Sequence, residues 1–158
     1  MASAPRRGQV SKLNIAGVGV RSGDLTPLVV RFAENAAAVG FTVHRGVAPE
    51  IEGAGVSRAL YGLADTGSVV LAASPQEPRA RSLLPMAHVS LLHESRILPG
   101  LAELFEALGG ELPSALAIVT GPSRSADIEQ RLVVGVHGPG EVHVVLLSGE
   151  EAPVQSPP

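Results

Sequence analysis

The sequence contains no cysteine and no tryptophan, and other aromatic residues are few: one tyrosine and three phenylalanines among 158 residues. The absence of cysteine excludes disulfides, a cysteine nucleophile, and thiolate ligation of zinc or iron–sulfur clusters. Because aromatic side chains are scarce, alanine, valine and leucine must build the core. Apolar residues make up 45% of the chain and charged residues 17%, a composition typical of a folded domain.

Charge of either sign is also limited. The formal net charge is −3, and all basic residues except Lys12 are arginines. Because the net charge is negative, nothing in the charge balance favours nucleic-acid binding. No apolar run approaches the roughly 20 residues that span a bilayer, and the residues after Arg6 and Arg7 lack the apolar core of a signal peptide. We therefore expect a cytoplasmic protein with no membrane span and no nucleic-acid partner.

A chain of this length suits one domain better than two. Residues 1–12 are small, basic and aperiodic, and residues 150–158 are rich in proline, so both ends are predicted to be flexible tails. Residues 13–149 are predicted to form a single domain between them.

Helices and strands are predicted in alternation within this domain. One helix begins at Thr26-Pro27, with threonine as N-cap and proline in the first turn, and stops at Gly40. Further helices are predicted over 97–108 and, for about two turns, over 125–132. Strands are predicted over 13–20, 41–45, 68–73, 87–92, 115–119 and 142–147. This alternation predicts a layered α/β domain with a largely parallel sheet covered on both faces.

The most informative candidate site is the segment 119–129, because ligands of parallel α/β sheets gather where strands end. A strand is followed by a Gly-Pro turn and a predicted helix start with Ser123 or Ser125 as N-cap. Free amides at that helix start, together with the hydroxyls and Arg124, would form a cradle for a carboxylate or phosphate. The alternative is an ordinary capped helix with a surface arginine, and Asp127 would repel an anion unless it points away or pairs with Arg124.

A second candidate is the turn Gly138-Pro139-Gly140, which lies between two strand-like runs. His137 would sit at its edge, where a neutral imidazole can accept or donate a proton. The alternative is a hairpin-like turn whose histidine is an exposed polar residue. His143 alternates within a predicted strand, and we expect it to be structural.

A third candidate is the segment 64–68, just before a predicted strand. Asp65 and Thr66 are favoured as residues that hydrogen-bond the amides of their own turn. The functional alternative is that they face the same cleft as the other two segments.

Several familiar sites are excluded or disfavoured by their spacing. The segment 121–125 misses the nucleophile elbow because Ser125 replaces its final glycine. Residues 17–19 carry two glycines without the third of a dinucleotide fingerprint, and no phosphate-binding loop of the Walker type is present. The five histidines show no metal-ligand spacing, so no metal site is predicted.

The segments TGPSRSADIE, residues 120–129, and GVHGPGEVHVVLL, residues 135–147, resemble the LUD-domain proteins, the lactate-utilisation protein C family. The resemblance covers residues 59–147 well and residues 26–45 more weakly, and the chain is contracted relative to the family between Arg45 and Tyr61. Ser125 stands where many members carry threonine. The positions that match the family pattern are Asp65, Thr66, Gly67, Gly121, Pro122, Ser123, Arg124, Asp127, Glu129, His137, Gly138 and Pro139.

This resemblance implies a three-layer α/β/α, Rossmann-like fold similar to ribose-phosphate isomerases and CoA transferases. It also implies a part in L-lactate oxidation to pyruvate beside iron–sulfur partner proteins, which would carry the redox cofactor that this cysteine-free chain lacks. Two other functions stay open: an independent enzyme acting on a phosphorylated or CoA-linked molecule, and a ligand-sensing or assembly subunit without catalysis. The candidate catalytic residues are His137 and Asp127, and the candidate residues for a small anionic ligand are Asp65, Thr66, Gly67, Thr120, Gly121, Ser123, Arg124, Ser125 and Gly138.

Overall fold

The computed structural model describes residues 27–73, 85–110, 113–126, 132–134 and 138–149. For residues 124–126 and 132–134 it describes the backbone. The predicted tails, the predicted strand over 13–20, the helix cap Thr26, and the candidate residues Asp127 and His137 lie outside the described residues.

The described part of the chain contains two α-helices, one short 3-10 helix (Glu94–Arg96) and ten strands. Helix α1 is Pro27–Ala38 and helix α2 is Leu101–Leu108. The strands are β1 Thr42–Arg45, β2 Gly55–Arg58, β3 Tyr61–Leu63, β4 Ser68–Ala73, β5 Ala87–His93, β6 Ile97–Leu98, β7 Ala115–Val119, β8 Arg124–Ala126, β9 Leu132–Val134 and β10 Glu141–Leu147.

Helix α1 stops where the sequence predicts, at Gly40. This glycine has a left-handed φ of 107°, a conformation that costs other residues free energy. The amides of Gly40 and Phe41 then donate to the carbonyls of Ala37 and Ala36, at 3.2 and 3.0 Å. These two hydrogen bonds pair carbonyls that the helix end would otherwise leave without a partner. They also turn the chain directly into β1.

The first sheet, sheet A, is fully parallel and has the strand order β1-β10-β5-β2. Its alternate residues point to opposite faces. On one face, Val142, Val144 and Leu146 of β10 share a core cluster with Phe32 of helix α1. On the other face, Val145 is also fully buried. The parallel central sheet and its near-continuous apolar strands, both predicted from sequence, are confirmed, and the domain belongs to the α/β class.

The second sheet, sheet B, has the order β6-β3-β4-β7 and is mixed. Strand β4 is antiparallel to both of its neighbours, and β3 and β6 are parallel. One face carries Val69 and Leu71 into the core cluster shared with helix α1 and sheet A. The opposite face carries Leu63 and Val70 against Leu104 of helix α2. The two sheets therefore share one core, and helix α2 covers the far face of sheet B.

Two predicted helices differ from the structure. The helix predicted over 97–108 begins at Leu101, because Pro99-Gly100 interrupts it and Ile97–Leu98 instead joins sheet B beside β3. The helix predicted over 125–132 is wrong at both ends: β8 and β9 are antiparallel strands, with Arg124 opposite Val134. Leu132–Val134 is a run with high strand propensity, and pairing with it outweighs the capping signal at Ser125.

Candidate functional site

A chain of three hydroxyl groups links two of the predicted site segments. The Thr66 Oγ1 lies 2.6 Å from the Ser68 Oγ, and the Ser68 Oγ lies 2.8 Å from the Thr120 Oγ1. Ser68, which carries the middle hydroxyl group, is buried, whereas Thr66 and Thr120, which carry the two outer hydroxyl groups, are exposed. Since each hydroxyl has one donor and two acceptor positions, the two end groups retain hydrogen-bonding capacity toward a ligand.

The segment 138–140 adjoins the segment 120–123 through the backbone. The Ser123 amide donates to the Pro139 carbonyl at 2.9 Å. A Cβ added to Gly138 would lie 3.2 Å from the Ser123 Cβ, so the two turns are in direct contact. The three segments predicted from sequence therefore meet, and we call residues 64–68, 120–123 and 138–140 the loop cluster.

Helix α1 supports the loop cluster from below. The Asn35 side-chain amide donates to the carbonyls of Ala64 and Asp65, at 2.7 and 3.1 Å. Gly67, with φ 69°, approaches the backbone of Ala36, and Gly121, with φ 96°, approaches the carbonyl of Val39. Both glycines are needed because a side chain at Gly67 would meet the backbone of helix α1 and one at Gly121 would meet the carbonyl of the turn that follows it.

The loop cluster lies at the amino edge of sheet A. Gly140 precedes β10, and its amide donates at 3.0 Å to the carbonyl of Met86, which precedes β5. The three segments therefore do not lie at the carboxyl edge of the parallel sheet. Thr120 does follow the carboxyl end of its strand, but that strand belongs to sheet B, where it runs antiparallel to β4.

The predicted site residues have different positions in the structure. Asp65 is exposed and its carboxylate lies beside Gly100, the residue before helix α2, where the helix dipole favours negative charge. The predicted anion cradle of helix amides at Ser123 or Ser125 is not formed, since β8 occupies that position. The loop cluster brings together Thr66, Gly67, Thr120, Gly121, Ser123 and Gly138, and the backbone of Arg124 and Ser125 follows it directly.

Three hydrogen-bonded side chains, Glu141, His143 and His44, lie in a row on one face of sheet A, and the sequence did not predict this arrangement. The His143 Nε2 lies 2.8 Å from a Glu141 carboxylate oxygen, and its Nδ1 lies 2.9 Å from the His44 Nε2. Because a carboxylate accepts only, the His143 Nε2 carries a proton and donates to Glu141, while the His143 Nδ1 and the His44 Nε2 share the second hydrogen bond. Burial lowers the pKa of His44, and the neighbouring His143 lowers that pKa further. Sequence gave no signal for this pair, because its members come from β1 and β10.

A second buried histidine, His88, lies on the opposite face of sheet A. Its Nε2 lies 3.0 Å from the Ser57 hydroxyl oxygen, and its Nδ1 lies 3.4 Å from the Ser90 hydroxyl oxygen. Burial lowers the pKa of His88, since a charged imidazole there would lose its hydration. His88 and its serines thus form a satisfied polar group inside the core.

Acidification is expected to destabilise the fold through these histidines. The pKa values of His44 and His88 are lowered from 6.5 in the folded state, so below about pH 6.5 the unfolded chain binds protons that the folded chain does not. Their stability contribution is complete above that pH and declines as pH falls toward the lowered pKa. Thermal unfolding followed by circular dichroism should give a lower Tm near pH 5.5 than near pH 7.5, and a loss of about 1 kcal/mol corresponds to roughly 2–4 °C.

The variant His88→Asn serves as the control for this prediction. It removes one of the two buried imidazoles, so its Tm should fall less between the two pH values than that of the unaltered chain. An unaltered chain whose Tm is the same at both pH values would contradict the prediction.

Among the residues that the structure describes, no group of three or more histidine, aspartate or glutamate side chains is arranged to hold a metal ion. No helix in the described part of the chain is long and apolar enough to cross a bilayer.

The α/β fold and the loop cluster belong to a recognised domain class. The family model of the LUD domain matches residues 53–147, which contain the loop cluster and most of both sheets. The chain therefore belongs to the LUD-domain family.

Curated relatives agree over the same region. The chain is 40% identical over 92 residues to lactate utilization protein C of Bacillus subtilis, covering 54% of this chain and 38% of the relative. It is 46% identical over 91 residues to the uncharacterized protein YkgG of Escherichia coli, covering 54% of this chain and 39% of the relative. The match thus spans about two fifths of these relatives' length.

A solved structure is also similar. A DUF162 family protein from Deinococcus radiodurans matches with a TM-score of 0.45 and 24% identity, over 59% of this chain and 52% of that one.

Proposed function

We propose that this chain acts in L-lactate utilisation in the cytoplasm, as a subunit that binds a small anionic ligand and works beside iron–sulfur proteins. The proposal is supported by family membership and by relatives named lactate utilization protein C. The observation that carries the ligand site is the convergence of three separate segments in the loop cluster, joined by the hydroxyl chain and the Ser123–Pro139 bond.

The loop cluster offers polar groups that suit a carboxylate. Thr66 and Thr120 present hydroxyl donors at the surface, and Ser68 fixes their separation from beneath. Arg124 follows the cluster directly and would supply the positive charge that a carboxylate requires. In this proposal Arg124 binds the anion, while His137 and Asp127 are the acid–base candidates.

Lactate oxidation to pyruvate releases two electrons and two protons, so an electron acceptor is required. This chain has no cysteine with which to bind an iron–sulfur cluster. In the proposed arrangement the partner proteins accept the electrons, and this chain holds the anion and moves a proton.

Growth on L-lactate tests the proposal in the organism that encodes the chain. Strains carrying Arg124→Ala or His137→Ala are expected to lose growth on L-lactate while growing normally on glucose. The matched control is Arg31→Ala, since Arg31 is an exposed arginine of helix α1 and is not one of the loop-cluster residues. Thr120→Val, which keeps the side-chain volume and removes the hydroxyl, should weaken growth on L-lactate.

Full growth on L-lactate in both the Arg124 and the His137 strains, with the altered proteins present at normal abundance, would overturn the proposed site. Copurification from lactate-grown cells tests the partner part separately. Recovery of cysteine-rich iron–sulfur proteins with the unaltered chain supports it, and recovery of the chain without them contradicts it.

A further inference from the structure

Glu141, His143 and His44 are joined end to end by two hydrogen bonds, and we call these three side chains the proton row. A Glu141 carboxylate oxygen lies 2.8 Å from the His143 Nε2, and the His143 Nδ1 lies 2.9 Å from the His44 Nε2. The two ring centroids are 5.2 Å apart, close to the largest separation that a 2.9 Å contact between ring nitrogens allows. The rings therefore meet nitrogen to nitrogen along one line, which is the geometry of a good hydrogen bond.

A metal ion does not fit between the two rings. Zinc–nitrogen bonds are about 2.0–2.1 Å long, so an ion on the line between the rings would need their nitrogens about 4 Å apart. The observed 2.9 Å between the His143 Nδ1 and the His44 Nε2 has room for a proton and nothing larger. The ligand that this contact can take up is therefore a proton.

The proton row connects buried rings to a carboxylate at the surface. The His143 side chain is 7% exposed and the Glu141 side chain is 62% exposed, and His44 is buried. A buried imidazolium needs a negative charge beside it, because it has lost most of its hydration. Glu141 supplies that charge to His143, whereas burial and the neighbouring His143 both lower the pKa of His44. A positive charge on the proton row is therefore best placed on His143.

Neighbouring strands add no charge beside the proton row. The strand register puts four uncharged side chains next to its members: Thr42, Ala87, Val89 and Val145. The other titratable side chains that the register assigns to this face of the described strands are His93 and Arg58. His93 lies four residues, about 13 Å, further along the strands than His143. Arg58 is exposed on the edge strand β2, beyond β5.

Two protonation states keep both hydrogen bonds of the proton row. In the neutral state the His44 Nε2 donates to the His143 Nδ1, and the His143 Nε2 donates to Glu141. When one proton is added at the His44 Nδ1, the proton on the His44 Nε2 passes to the His143 Nδ1, which then donates to His44. His143 becomes an imidazolium paired with Glu141, and His44 stays neutral. A second proton would leave two donors facing each other with no acceptor between them.

We propose that the proton row is a proton-binding site, which takes up one proton through His44 and holds it on His143 against Glu141. None of its three residues belongs to the loop cluster, so this site is independent of the function proposed above. Its consequence is that a buried face of sheet A carries one positive charge without the loss of a hydrogen bond.

Nitrogen-15 NMR of the full labelled chain tests the site, because the signals of the ring nitrogens distinguish the two neutral tautomers from the charged ring. As the pH is lowered through about 6.5, both His143 nitrogens are expected to become protonated while the His44 proton moves from Nε2 to Nδ1. His88 is the internal control, since its partners are the hydroxyls of Ser57 and Ser90, and it should stay neutral when His143 is charged.

Three outcomes of this titration would overturn the proposed site. They are a charge on His44 before His143, an unchanged His44 tautomer when His143 is charged, and a His143 that stays neutral until the chain unfolds. The measurement needs no substitution, so it does not depend on whether a variant folds.

A substitution at Glu141 gives a second, independent measurement. Glu141→Gln keeps an acceptor for the His143 Nε2 and removes the negative charge, so His143 is expected to become charged only at a pH about 0.5–1 unit lower. The matched control is Glu106→Gln, because Glu106 is an exposed glutamate of helix α2, and it should leave the titration of His143 unchanged. An equal change in both variants, or no change in Glu141→Gln, would contradict the site.

Discussion

Gly67→Ala is expected to destabilise the domain by about 3–5 kcal/mol, enough to unfold much of a protein of ordinary stability. Gly67 has a left-handed φ of 69°, and a Cβ there would meet the backbone of Asn35 and Ala36. A helix backbone cannot yield as a flexible side chain can. The substitution would therefore push the segment 64–68 away from helix α1 and separate it from the other two segments of the loop cluster.

Gly53→Ala is the matched control for this effect. Gly53 has a nearly identical φ of 72°, but a Cβ there meets nothing within 4 Å. It should therefore show only the backbone penalty, about 1–2 kcal/mol. Urea unfolding of both variants measures the difference, and equal losses of stability would show that close packing on helix α1 is not what makes Gly67 necessary.

Phe32→Ala is expected to cost about 3–5 kcal/mol, through lost burial and the cavity left behind. Phe32 is fully buried, and it lies at the point where helix α1, sheet A and sheet B share one core. Its ring lies against Gly62, where an added Cβ would be 2.9 Å from the Phe32 Cε2. The surrounding side chains relax only in part after such a truncation, so a cavity remains.

Phe105→Ala makes the same chemical change on the surface. The Phe105 side chain is 59% exposed on helix α2, so its removal should alter the free energy of unfolding by about 0.5 kcal/mol or less. Chemical denaturation of the two variants gives the comparison. A Phe32 variant as stable as the Phe105 variant would contradict the position of the core described above.

The elements that could be predicted from sequence are those with strong local signals. Helix α1 has a proline start and a glycine stop, and strands β4, β5 and β10 are apolar runs bounded by turn residues. Each signal acts within a few residues, so the pattern alone predicts the element. That the segment 64–68 meets the other two was the functional alternative, which was based on the tendency of ligands to gather where strands end.

Other features depend on contacts that the local pattern does not contain. Strands β2 and β3 are short and lie in or near a glycine-rich stretch. They are strands because β2 pairs with β5 and β3 pairs with β4. The β8–β9 hairpin replaces a predicted helix for the same reason, since strand pairing outweighs a capping signal. The Arg45–Glu94 ion pair likewise joins residues that are 49 positions apart in sequence.

The strand order of sheet A has a consequence for synthesis on the ribosome. Strand β10 is the last described strand of the chain, yet it lies between β1 and β5 and pairs with both. Until translation reaches Leu147, the emerging polypeptide has a gap in the middle of its sheet, and both flanking strands expose unpaired backbone groups. The sheet of a newly made chain can therefore close only after β10 has left the exit tunnel.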